Sequence, residues 1–143
     1  RLVGSEMCIR DRAEIKSEGS DVTVVSFGKI LKEVFKASEK LKEQNINIEI
    51  IDLRTVRPLD ISTIIESVKK TNRLVILEEA WPFGNVSTEI TYQVQNKALD
   101  YLDAPIIKIN TADTPTPYSP VLLKEWLPNH NDVIKAVNKV LYK

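Results

Sequence analysis

Apolar side chains fill almost every position of the run Val-Thr-Val-Val-Ser-Phe at 22–27, which ends at Gly28, and this is the pattern of a strand buried on both faces. Ile30, Leu31, Val34, Phe35, Ala37, Ser38 and Leu41 then recur at helical spacing with lysines and glutamates between them. They predict an amphipathic helix of about four turns, closed by Asn45. A second strand is expected over 46–53, and its alternating first half, Ile-Asn-Ile-Glu, predicts a less buried start. Asp60 is placed to accept the free amide hydrogens of a helix carrying Ile61, Ile64, Ile65 and Val68, with Lys69 and Lys70 at its negative end.

The same alternation continues. A third strand is expected over 73–77, followed by a helix capped by Asn85 that bears Val86, Ile90 and Val94, runs on through Leu99 and Leu102, and stops at Pro105. A fourth strand over 106–110 leads into a loop with prolines at 115, 117 and 120, read as rigid surface backbone. After a short Leu-rich turn, Asn129 or Asn131 caps a last helix with Val133, Ile134, Val137, Val140 and Leu141. A short segment at 13–16 precedes the first buried strand. Strands alternating with helices predict the fold class: an α/β, three-layer α/β/α sandwich around a mostly parallel sheet of about five strands, with right-handed crossovers. Residues 1–12 show neither strand nor helix period and are set outside the fold, either as a translated adapter or cloning scar or as a disordered native tail; the domain is assigned to 13–143.

Composition narrows what such a domain does. At 143 residues and 43% hydrophobic content the chain has the size of one domain that buries about two thirds of its unfolded surface. Twenty basic residues balance twenty acidic ones, so no net positive field favours nucleic acid or an anionic membrane. No apolar run approaches the roughly 20 residues of a bilayer span and no secretion signal precedes the fold, which points to a cytoplasmic protein. A single cysteine, Cys8, forms no internal disulfide and has no clustered His or Cys to make a metal site with it.

The chemistry-bearing residues form no catalytic set. Glu78 and Glu79 sit at the carboxyl end of a predicted strand, where ligands and partners gather in α/β sheets, but adjacent strand residues point to opposite faces and do not share one substrate. A structural or interface role is the expectation. Arg54 and Arg57 either hold a carboxylate from another chain or anchor their own loop. His130, the lone histidine, has no serine, cysteine or acid arrangement around it and reads as capping or exposed. Trp81, Phe83, Tyr118 and Trp126 lie in or beside loops, where aromatic residues anchor interfaces or pack loops onto the domain's own core. Four glycines form no phosphate-cradling run. No catalytic, cofactor-binding or metal-binding residue is assigned.

Several runs together carry a resemblance. Gly19-Ser-Asp-Val-Thr-Val-Val-Ser-Phe27, Ile51-Asp-Leu-Arg-Thr-Val-Arg-Pro-Leu-Asp60, Leu77-Glu-Glu-Ala-Trp-Pro-Phe-Gly84, Tyr101-Leu-Asp-Ala-Pro105, and Thr111-Ala-Asp-Thr-Pro with Pro117-Tyr-Ser resemble the C-terminal domain of transketolase-like proteins. The resemblance is specifically to the beta subunits of thiamine-dependent pyruvate dehydrogenase, with branched-chain 2-oxo acid dehydrogenases as the alternative. A freestanding flavodoxin-like binding module shares the βα alternation but lacks a phosphate loop after the first strand.

The resemblance implies a beta subunit that pairs with an alpha subunit and a second beta subunit in a heterotetramer. Thiamine diphosphate then sits between the alpha subunit and an N-terminal beta domain that this sequence does not contain. The assembled enzyme decarboxylates pyruvate and acetylates the lipoyl arm of a dihydrolipoyl acetyltransferase. On that reading this domain catalyses nothing alone and offers a docking surface for the acetyltransferase's subunit-binding domain. Its partner-binding residues are Asp103, Tyr142 and Lys143 with the terminal carboxylate, where Lys143 departs from the pattern by adding a positive charge. Negative groups facing a basic partner give rapid, salt-sensitive association.

Overall fold

A computed structural model describes residues 12–143. The expected leader, apart from Arg12, and Cys8 lie outside the described residues. Five strands form one sheet: β1 (Glu14–Ser17), β2 (Val22–Ser26), β3 (Ile48–Asp52), β4 (Leu74–Leu77) and β5 (Ile107–Ile109), in the order β1-β3-β2-β4-β5. Strands β3, β2, β4 and β5 run parallel, while β1 pairs antiparallel with the outer edge of β3. The mostly parallel sheet is as the sequence pattern requires, and the antiparallel edge strand is an addition to it.

Among the described residues there are five α-helices, and four of them cover the two faces of the sheet. α1 (Leu31–Glu43), entered through a 3-10 turn at Gly28–Ile30, and α5 (His130–Val140) pack together on one face. There Val34, Leu41, Val133 and Val137 close over Val24, Ile50 and Leu77. On the other face α2 (Ile61–Thr71) and α3 (Val86–Ala98) bury Ile64, Val68, Ile90 and Val94 against Val25, Ile51 and Ile76. Each such side chain contributes on the order of 1.5–3 kcal/mol, which makes the two apolar layers the main source of stability. A polar seam runs through the second layer, where the Thr23 hydroxyl meets those of Ser67 (2.6 Å) and Thr71 (2.7 Å). Each group is buried with a partner, so the seam fixes how α2 sits on β2.

Local caps explain the element starts. Asp60 accepts from the Thr63 amide (3.2 Å) at the head of α2, Asn85 from the Thr88 amide (2.9 Å) at the head of α3, and Asn129 rather than Asn131 caps α5 in a reciprocal capping box with Asp132.

Three expectations are corrected. The alternation expected at the start of β3 fails at Glu49: Asn47, just before the strand, is exposed, but Ile48 and Glu49 are each 1% exposed. The carboxylate of Glu49 is tolerated there because it pairs with the Lys70 ammonium and accepts from the Gly19 amide at 3.3 Å. The Leu-rich turn is a helix, α4 (Pro120–Trp126), with Pro120 in its first turn, where a missing N–H costs nothing. Helix α3 ends at Ala98, and Leu99 begins a 3-10 turn (Leu99–Tyr101) with its side chain exposed. Among the described residues no helix is long and apolar enough to cross a membrane.

Candidate functional site

Two surfaces emerge, at opposite ends of the parallel sheet. Glu78 and Glu79 follow the carboxyl end of β4, whereas Asp103 lies in the loop before the amino end of β5. The period-2 reading of the glutamate pair holds: Glu78 is completely buried and Glu79 is exposed. Glu78 Oε2 accepts from the Ser87 amide in the first turn of α3 at 2.8 Å, while Oε1 has no hydrogen-bond partner. Burial pushes the Glu78 carboxyl above the usual carboxylate range, against the Ser87 bond and the nearby Lys108 charge, which both favour the anion. Glu78 therefore serves α3 as a side-chain cap while keeping one oxygen uncommitted.

Around it opens a mouth of about 520 Å³. Its walls include Phe27, Trp81 and Phe83, its acids are Glu78, Glu79 and Glu89, and none of the residues lining it is basic. Lys108 stands at the side, donating to the Pro82 carbonyl (3.2 Å) and the Thr88 hydroxyl (2.8 Å). The aromatic loop residues differ in how the fold uses them. Trp81 and Trp126 both donate their indole N–H to the Thr114 carbonyl, at 3.1 and 3.0 Å, and so bind the two loops to each other. Phe83 is 92% exposed and Tyr118 is fully exposed, and neither is used by the core.

At the other end, two of the three expected docking residues come together. The Tyr142 hydroxyl donates to the Asp103 carbonyl at 3.2 Å, although 39 positions separate them. Asp103 and Tyr142 are both exposed, and Lys143, also exposed, follows directly, its amide bonded to the Asn138 carbonyl. The sequence gives no hint of Arg73, which organises this corner: its guanidinium donates to the Val140 carbonyl (3.0 Å) and lies 3.6 Å from the Asp103 carboxylate. A groove of about 490 Å³ lined by Leu99, Leu102, Pro105 and Ile106 adjoins Asp103.

Of the remaining candidates, Arg54 and His130 are held by partners within the fold. Arg54 pairs with Glu14 of β1, so it anchors its own loop to the edge strand; Arg57 is exposed. His130 is neither the cap nor free: its Nδ1 lies 3.2 Å from Glu33 and its Nε2 2.9 Å from the Lys40 ammonium. With the lysine donating to Nε2, the imidazole proton resides on Nδ1 and points at Glu33, tying α5 to α1. The described residues contain no cluster able to hold a metal ion.

Residues 11–133 match the family model of the transketolase C-terminal domain. The chain belongs to that family. The transketolase C-terminal domain described here is 51% identical over 132 residues to the pyruvate dehydrogenase E1 component subunit beta of Rhizobium meliloti, covering 92% of this chain and 29% of the relative. It is 51% identical over 131 residues to the corresponding subunit of Rickettsia felis and 38% identical over 130 residues to that of Bacillus subtilis, covering 40% of each. The chain thus spans well under half the length of the curated relatives it matches. A solved structure titled split gene transketolase, inactive beta4 tetramer, superposes with a TM-score of 0.80 at 24% identity, over 93% of this chain and 42% of that one. At that identity the superposition establishes the fold alone.

Thiamine diphosphate, the cofactor the resemblance implies for the whole enzyme, does not fit the mouth beside Glu78. The mouth at the carboxyl edge presents three carboxylates and no basic side chain, the wrong sign for a diphosphate.

Proposed function

We propose that residues 13–143 are the C-terminal assembly and docking domain of a pyruvate dehydrogenase (acetyl-transferring) beta subunit. The observation that carries this reading is the 51% identity to pyruvate dehydrogenase beta subunits across 92% of the chain. In the complete cytoplasmic heterotetramer, alpha and beta subunits together hold thiamine diphosphate, which supplies the decarboxylation of pyruvate, and the acetyl group passes to the lipoyl arm of a dihydrolipoyl acetyltransferase. This domain pairs with the alpha subunit and the second beta subunit, and it receives the acetyltransferase's subunit-binding domain.

Asp103, Tyr142 and Lys143 form the docking corner. The Tyr142–Asp103 hydrogen bond supports their acting as one surface, because it fixes the tail of the chain beside the acidic loop. Arg73 neutralises part of the Asp103 charge, so a basic partner group competes with a contact of 3.6 Å whose Asp103 carboxylate is 57% exposed. Such an exchange between exposed charges is fast, weak per pair and sensitive to salt.

The test replaces Asp103 with Lys in the complete beta subunit assembled with alpha. Capture by the acetyltransferase's subunit-binding domain falls by an order of magnitude or more, and decarboxylation by the free heterotetramer is unchanged. Capture at the wild-type level removes Asp103 from the docking surface. A heterotetramer that binds no subunit-binding domain even with Asp103 intact defeats the docking role.

A further inference from the structure

The mouth at the carboxyl edge of β4 is not used by the docking corner, which lies at the opposite end of the sheet. Its lining combines aromatic walls from Phe27, Trp81 and Phe83 with carboxylates from Glu78, Glu79 and Glu89, and holds no basic residue. Glu78 is wholly buried, yet its Oε1 has no partner. An unpaired buried carboxylate oxygen is costly, and such sites gain most from a charged donor that satisfies it. Phe83, at 92% exposure, gives the mouth a large apolar face that the fold itself does not cover.

We propose that this mouth is a socket for a guanidinium group, the arginine side chain of a neighbouring subunit in the assembled enzyme. A planar guanidinium matches both halves of the site: it stacks on aromatic faces and donates in a fork to carboxylates, where an ammonium is a strongly hydrated point charge. Glu78 Oε1 is closed to solvent in the free domain, so a donor entering the mouth meets it only as the loop around Glu79 and Trp81 opens, and the Ser87 bond to Oε2 stays in place, so α3 keeps its cap. The α3 N-terminus brings roughly half a positive charge to the site, but Glu78 Oε2 and the Asn85 side chain already answer it, and three carboxylates outweigh it. Lys108 is held aside by Pro82 and Thr88. An anionic occupant is excluded by the same charge count.

The assignment of the occupant to a neighbouring subunit rests on the beta-subunit reading; the socket itself does not. The first experiment uses this chain and N-acetyl-arginine amide as probe, followed by nuclear magnetic resonance at the Ser87 amide and the Trp81 indole, with sodium chloride at equal ionic strength as control. The socket predicts shifts that saturate with the arginine probe alone. It also predicts affinity at least tenfold lower in Glu78→Gln, where the amide oxygen still caps Ser87, and in Phe83→Ala, a surface change that leaves the core intact. Shifts linear in probe, or equal in wild type and both variants, overturn the socket.

The second experiment measures assembly of the complete beta subunit with alpha by sedimentation. At least tenfold weaker assembly in both variants, with the melting temperature of the free beta subunit not lowered, supports the occupant, and assembly at wild-type strength overturns it. A wild-type beta subunit that never assembles with alpha defeats the beta-subunit reading while leaving the first result to stand by itself.

Discussion

Replacing Lys70 with Met isolates the least expected interaction in the fold, the pairing of the buried Glu49 with a lysine on α2. Glu49 is 1% exposed, and its Oε2 has two donors, the Lys70 ammonium and the Gly19 amide at 3.3 Å. Removing one member of a fully buried ion pair costs about 3–5 kcal/mol because the other charge stays behind unpaired. An exposed pair is worth no more than about 1 kcal/mol. The Lys70 side chain is 48% exposed, so water partly replaces it, and the expected cost lies between these limits, at about 2 kcal/mol. For a domain of this length that lowers the melting temperature by about 8 °C. Calorimetry at neutral pH reads the shift directly. Glu49→Gln in the Lys70→Met background removes the stranded charge while still accepting from Gly19, and it recovers most of the loss. A Lys70→Met variant within about 0.5 kcal/mol of wild type, or a double variant no better than the single one, refutes the reasoning.

Other consequences can be checked separately. Burial alone would raise the Asp60 carboxyl, but hydrogen bonds from Ser62 and Thr63 and from the Ala13 amide outweigh it and hold it below the usual range. Its folded value is therefore lower than its unfolded one, so its contribution is present above the unfolded value near pH 4 and is lost as pH falls through the lowered folded value. Asp60→Asn, still able to cap, flattens that acid limb in pH-dependent denaturation, while Asp60→Ala also costs about 1–2 kcal/mol at neutral pH. The Glu78 carboxyl shifts the other way: raised by burial, it withdraws stability as pH rises from the unfolded value through the folded one, so Glu78→Gln declines less with pH than wild type in the same assay. Gly19→Ala would bring a Cβ within 2.3 Å of the Ile48 carbonyl carbon, a backbone atom with no rotamer to yield, and urea denaturation should show a loss of about 1–3 kcal/mol.

Much of this fold is legible in the amino-acid order because local and tertiary signals agree. Asp60 and Asn85 stand before apolar stripes of period 3.6, and the structure uses both as caps. The run 22–27 is apolar on both faces because helices cover both sides of β2. Where the reading fails, a distant partner decides. The period-2 pattern around Glu49 signals exposure only if no cation reaches the acid, and Lys70, 21 positions away, does reach it. The three prolines predict rigid loop through Pro120, yet in the first turn of α4 its fixed backbone angle starts a helix instead. Strand order and the antiparallel β1 are properties of pairing that no window of sequence contains.

The sites follow the same rule. Alternation alone separates buried Glu78 from exposed Glu79, but the unpartnered Oε1 and the contributions of Phe27 and Glu89 to the mouth exist only once the end of β2 meets the stretch from Glu78 to Glu89. Arg73 carries no signal beyond opening the expected third strand, and its role appears only when the Val140 carbonyl and Asp103 arrive beside it.

The proposed role is that of a domain that binds neighbours and leaves the chemistry to other parts of the enzyme. Calorimetric titration of this 143-residue chain with the subunit-binding domain of a dihydrolipoyl acetyltransferase tests it most directly. The docking role predicts saturable binding that weakens as salt rises and disappears in Asp103→Lys; no heat at low salt, or binding indifferent to Asp103→Lys, would contradict it.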